Sequence, residues 1–224
     1  MMKNLGKLIV LFIALIFATI NAYGQIDTVL RDKIIQMAKK DQDWMMNPPK
    51  NVHDNSQFFQ RMEEIYQENY DDAKVIFSKF GFPGYNRVGK DGSDKFWLVV
   101  QHLNKWPDFQ KLVLKKMEAE VKRKNASPDK YAYLLDRINL NKGELQIYGT
   151  QIWYDVRYHR TFPYPIVDIK TVNKRRKAVG LEALEIYLNT TTESHFALRD
   201  SINLKSGVKK PWLYKVPSHM FGKY

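Results

Sequence analysis

Residues 95–104 read Lys95-Phe96-Trp97-Leu98-Val99-Val100-Gln101-His102-Leu103-Asn104. The apolar side chains are too dense for a single stripe. At 3.6 residues per turn they cover nearly the whole circumference, so the segment is expected as a buried helix running to Asn104. Two polar side chains, Gln101 and His102, sit inside it. An imidazole in such a helix needs a partner for its ring nitrogens.

A buried helix needs other helices around it, and the flanking sequence supplies them. Over residues 26–46, Ile26, Val29, Leu30, Ile34, Met37 and Ala38 recur at spacings of three and four, and Asn47-Pro48-Pro49 ends the run. Residues 56–80 carry a longer stripe that includes Phe59, Met62, Ile65, Ala73 and Ile76, with Gly81 as its stop. The glycine-rich residues 81–93 read as a loop, with Asp94 capping the helix that follows. Pro107 opens a helix to about Arg123, with Phe109, Leu112, Val113, Met117 and Val121 inward. Ser127 and Pro128 open another to about Leu140.

After Gly143 the pattern changes. Residues 145–156 are β-branched and aromatic, which fits a bent strand or short hairpin. Asp168 is expected to cap a basic helix to Val179. A last helix from Leu181 fades in Asn189-Thr190-Thr191-Thr192. The fold class is mainly α, a single helical domain with a minor β-hairpin or strand element.

The chain has 224 residues, 44% hydrophobic and 27% charged, a balance that argues against disorder. It has no Cys, which excludes disulfides, a Cys nucleophile and thiolate metal sites. Its five His form no H-x-x-x-H pair, so no metal site is expected. There is no G-x-S-x-G elbow, Walker loop or dinucleotide fingerprint, and nothing calls for a cofactor. The net charge of +12 favours contact with anionic surfaces.

Residues 1–24 read as a signal peptide. Lys3 and Lys7 precede an apolar run over residues 8–18, and Ala22-Tyr23-Gly24 offers cleavage before Gln25. The protein is therefore expected in the periplasm or outside the cell. No second run of membrane length follows, so no membrane span is expected after signal removal. Residues 25–188 form the helical domain and residues 189–224 a basic, aromatic tail. In that tail Trp212, Tyr214 and Phe221 stand among lysines, but no nucleic-acid motif accompanies them.

Four polar clusters stand out: Asp41-Gln42, Gln101-His102, Asp136-Arg137 and Gln146-Ile147-Tyr148-Gly149-Thr150-Gln151. His102 is the candidate general base and Asp136 the carboxylate expected to orient it. Gln101, Arg137, Gln146, Tyr148, Thr150, Gln151 and Arg176 are the candidate ligand-binding residues. Gly149 suggests a positive φ or a close approach. Asp41-Gln42 reads as a solvated face, as does the run Lys174-Arg175-Arg176-Lys177, although Arg175 or Arg176 can also point inward.

These clusters, with Gly81-Phe82-Pro83, Val88-Gly89 and the stretch from Val172 through Arg176 to Gly180-Leu181, resemble a bacterial domain family of unknown function. Its most specific mark is Gln-x-Tyr-Gly-Thr-Gln, and the likeness spans roughly residues 30–188. The resemblance implies a largely helical domain and no established activity; signature polar residues imply a shared pocket. Two functions fit: a general acid–base hydrolase or transferase, or a non-catalytic binding module for a small polar or anionic ligand.

Overall fold

The computed structural model describes residues 26–49, 54–199 and 207–216. The described residues are mainly α with one two-stranded antiparallel sheet, as the sequence pattern predicts. It divides into two compact units, one of the described residues up to 102 with 122–126, the other of 103–121 with 127 onward. Residues 1–24, read as a signal peptide, and Phe221 lie outside the described residues.

The first unit is built on α1 (Thr28–Met46), α2 (Asn55–Phe80) and α3 (Tyr85–His102). Asp27 and Asp54 cap α1 and α2 through their side chains. α3 packs on both other helices, and its Phe96, Val99 and Val100 are fully buried, as their density requires. The apolar stripes are narrower than the sequence suggests: Val29 on α1 and Phe59 on α2 are exposed.

Two expectations fail at α3. Residues 81–93 are not a loop throughout; the helix begins at Tyr85 and is interrupted only at Gly89. Asp94 therefore lies inside the helix rather than at its start. The helix also ends at His102, short of Asn104. The early start at Tyr85 comes with a cap from far along the chain. The Asn125 carbonyl accepts from Tyr85 N at 2.8 Å, and its Oδ1 from Asn86 N at 2.8 Å. A Cβ on Gly84 would lie 2.1 Å from the Asn125 side chain, so this glycine serves close approach rather than a loop.

The second unit holds α4 (Pro107–Lys122, all but its last residue), α5 (Pro128–Asn141), β1 (Ile152–Asp155), β2 (Arg160–Pro163), α6 (Val172–Ala178) and α7 (Leu184–Leu198). β1 and β2 form a hairpin with Trp153 opposite Phe162 and Tyr154 opposite Thr161. Residues 145–151 are irregular rather than strand. Asp168 adopts a left-handed conformation, φ 40°, before a short 3₁₀ turn, and its side chain does not cap α6. Leu112, expected inward, is exposed. The helix expected to fade near Asn189 runs on to Leu198, because Leu188, Thr192 and Phe196 continue a buried stripe at a spacing of four. Val172, Leu184 and Leu188 form a small core with Ile152, Ile166, Tyr187 and Tyr214 packed on it.

Candidate functional site

Ile34, Met37, Ala38 and Asp41 lie on one buried face of α1. That stripe carries Asp41 inside, where it is wholly buried. Its Oδ2 lies 2.6 Å from Nδ1 of His102, the last residue of α3. The His102 side chain is 15% exposed, and Tyr66 from α2 stands beside it with ring centroids 6.0 Å apart. Asp41 Oδ1 is buried and makes no hydrogen bond among the described residues. A buried carboxylate with one oxygen unpaired is costly, the kind of cost that functional sites retain.

The acid on His102 is thus Asp41, not the expected Asp136, and the reading of Asp41 as a solvated residue is overturned. Its spacing of seven from Ile34 on α1, one turn beyond Met37 and Ala38, was the signal that places it inward.

Asp136 is spent elsewhere. It is fully buried on α5 and accepts five hydrogen bonds from the loop over residues 146–151. Ile147 N (2.7 Å) and Tyr148 N (3.1 Å) reach Oδ1; Tyr148 N (3.2 Å), Thr150 N (2.9 Å) and Thr150 Oγ1 (3.0 Å) reach Oδ2. Gln146 closes the loop on itself. Its Oε1 accepts from Gln151 N at 2.7 Å, and its Nε2 donates to the Gln151 and Tyr164 carbonyls at 3.0 and 2.9 Å.

The loop carbonyls are met from the other side. Arg175 Nε donates to the Ile147 carbonyl at 2.7 Å, and Arg176 Nη1 to those of Tyr148 (2.8 Å) and Gly149 (3.4 Å). The Tyr187 hydroxyl donates to the Thr150 carbonyl at 3.0 Å. Every carbonyl from Ile147 to Gln151 therefore accepts from a side chain, which irregular buried backbone requires. An anion faces the amides and two cations face the carbonyls, so the peptide dipoles separate Asp136 from Arg175 and Arg176.

Arg176 is itself fully buried, donates to the Glu182 carbonyl at 2.6 Å and lies over the Tyr187 ring at 4.9 Å. Of the two readings of residues 174–177, a solvated basic face or an arginine pointing inward, Arg176 takes the second. Burial pulls the Arg176 pKa down, while Tyr133 and Tyr187 act to hold it up. Burial pushes the Tyr187 hydroxyl up, with the Tyr133 hydroxyl adding to the rise. Burial raises Tyr148 as well, Asp136 second. Gly149 has both features expected of it: φ is 69°, and a Cβ would meet Ile166 Cδ1 at 2.5 Å.

Asp136, Gln146, Tyr148, Thr150, Gln151 and Arg176 thus share one network, while His102 is joined to Asp41. Gln101 is buried one position before His102, and Arg137 is half-buried on α5. The residues missed by sequence reasoning were Asp41 as the histidine's partner and Tyr187 as a loop brace. Among the described residues no group of three or more His, Asp or Glu side chains is placed to hold a metal ion, and no helix is long and apolar enough to cross a membrane.

A helical chain with a braced loop and a histidine held by a buried carboxylate defines a class before it defines an activity. Residues 23–200 match the profile of DUF6624, a family of unknown function, and the chain belongs to that family. No curated protein matches the chain, and no solved structure does.

Proposed function

We propose that this is an exported protein in which His102 acts as general acid–base in a hydrolysis or group transfer, with Asp41 as its positioning residue. The observation that carries this is the 2.6 Å contact between a wholly buried carboxylate and Nδ1 of a histidine that keeps solvent exposure. Asp41 holds the proton on Nδ1 and leaves the Nε2 lone pair to work. Nε2 takes the proton from water or a substrate hydroxyl as that oxygen attacks. The imidazolium so formed is stabilised by Asp41 and returns the proton to the leaving group. The basic chain favours a small polar or anionic substrate. Asp136 has no part in this step; it holds its own loop.

The test is a comparison of the parent with His102→Ala and Asp41→Asn on chromogenic esters, phosphoesters and glycosides. General acid–base catalysis contributes about 10²–10⁴-fold, and His102→Ala should lose that much. Turnover that survives His102→Ala undiminished contradicts the assignment.

A further inference from the structure

The hairpin and residues 207–216 carry an aromatic surface that the Asp41–His102 pair does not use. Trp153 stacks on Phe162, its cross-strand partner, with centroids 5.2 Å apart. Tyr158 in the hairpin turn lies 6.1 Å from Phe162 and 6.4 Å from Trp212. Tyr214 pins the arm: its N–H donates to Asn189 Oδ1 at 2.7 Å, its carbonyl accepts from Asn189 Nδ2 at 3.0 Å, and its hydroxyl donates to the Thr161 carbonyl at 2.9 Å. Arg160 covers the Tyr214 ring at 3.2 Å. With Tyr214 anchored, its neighbours turn outward: Trp212 is 62% exposed and Leu213 44%. In the hairpin turn Val156 is 49% exposed and Tyr158 47%.

The charges around these side chains have one sign. Residues 153–162 and 207–216 carry Arg157, Arg160, Lys209, Lys210 and Lys215 against a single acid, Asp155. Asp155 is buried and held by Arg157 at 2.6 Å. These two segments therefore favour an anionic occupant. Exposed aliphatic side chains, Val156 and Leu213, sit among the rings. Stacking on a nucleobase or a sugar ring makes no use of them, whereas the boundary of a bilayer buries aliphatic and indole groups together and holds cations at its headgroups.

We infer that the hairpin turn and the arm together form a peripheral docking surface for an anionic lipid bilayer. Trp212, Leu213, Tyr158 and Val156 enter the headgroup boundary, and Lys209, Lys210 and Arg157 meet the phosphates. The arm lies beyond residues 23–200, so this surface is partly built outside the family match.

The test reads the depth of Trp212 in the full chain. Residues 8–18 are apolar and can themselves hold the chain on a vesicle, so co-sedimentation alone is not the readout. Tryptophan quenching by brominated acyl chains is followed as vesicles of phosphatidylcholine and phosphatidylglycerol in equal parts are titrated in, with phosphatidylcholine vesicles alongside. Quenching is expected on the anionic vesicles only and is expected to fall in Trp212→Phe to the share of Trp153, which is 40% exposed on the same surface. Lys209→Ala with Lys210→Ala should shift the lipid titration about thirtyfold, each lysine near a charged surface contributing about fivefold. These positions are exposed, and an unchanged circular dichroism spectrum confirms folding. Equal quenching on both vesicles, or quenching undiminished in Trp212→Phe, overturns the proposal. So does Trp212 emission that answers to single-stranded DNA or an acidic polysaccharide but not to anionic lipid.

Discussion

Asp41 and His102 stand 61 residues apart in sequence and 2.6 Å apart in space, Oδ2 to Nδ1. The carboxylate is sealed from water while the imidazole is not. The pair is therefore asymmetric: a carboxylate with no exposure stands against a ring that keeps 15% of its side-chain surface in solvent.

Removing the ring strands the carboxylate. His102→Ala should cost about 1–3 kcal/mol, because Asp41 then has no partner for either oxygen. Adding Asp41→Leu removes the stranded charge and should recover much of that loss. Denaturant midpoints of the two single variants and the double variant measure the coupling; strictly additive losses would deny it.

The loop brace is the larger contributor to stability. Asp136→Asn puts an NH2 donor where amide donors converge and strands the two or three of the five hydrogen bonds that the replaced oxygen accepts. A loss of about 3 kcal/mol is expected, which is about 6–12 °C in a chain of this size. Calorimetry decides; a midpoint within a degree or two of the parent would mean the brace carries no weight.

Gly149→Ala should destabilise for two separable reasons. One is the contact with Ile166 Cδ1 at 2.5 Å; the other is φ of 69°. Ile166→Val deletes the offending methyl and should restore the steric part. The backbone part, about 1–2 kcal/mol, should remain. Full rescue by Ile166→Val would show that φ is relaxed in the variant.

Stability should fall at both ends of the pH scale. The hydrogen bond from Arg31 holds Asp91 below the usual carboxylate range, Arg157 does the same for Asp155, and Lys40 for Glu68. A depressed carboxylate contributes stability that is complete above its ordinary value of about 4 and is lost as pH falls through its lower folded value. Tyr187 is pushed the other way by burial. Its contribution is complete below the ordinary tyrosine value of about 10 and is lost as pH rises toward the raised one. Phenolate absorbance from Tyr187 should therefore appear together with alkaline unfolding. Its appearance in the folded protein, missing from Tyr187→Phe, would contradict the buried hydroxyl.

The leader is a separate matter. Residues 1–24 should be absent from the exported protein, with Gln25 as the first residue. Intact mass tests this, and retention of all of residues 1–24 would refute it.

The helices were legible because periodicity reports burial directly: Ile34, Met37 and Ala38, or Phe109, Val113 and Met117, need nothing beyond their own segment. What failed depends on distant partners. Gly84 looks like a loop residue until Asn125 is known to fill the space beside it and cap α3. The polar clusters were visible as clusters, but not their pairing. Asp136 is the expected partner of His102 and Asp41 reads as solvated, because nothing local to either segment shows that the fold commits Asp136 to loop amides and Asp41 to the ring. The loop over residues 146–151 suggested a ligand cradle because of its amides and hydroxyls. In the structure the backbone itself uses Gln146, Thr150 and Asp136, since a buried irregular segment must satisfy its own peptides first.

The central claim is that Asp41 fixes His102 with its proton on Nδ1 and its lone pair on Nε2. Two-bond ¹H–¹⁵N correlation of the imidazole, recorded on the neutral ring in the full chain, reads the tautomer directly. The Nδ1–H form is expected in the parent and should give way to a tautomer mixture in Asp41→Asn. An Nε2–H ring in the parent, unchanged by Asp41→Asn, would contradict the account.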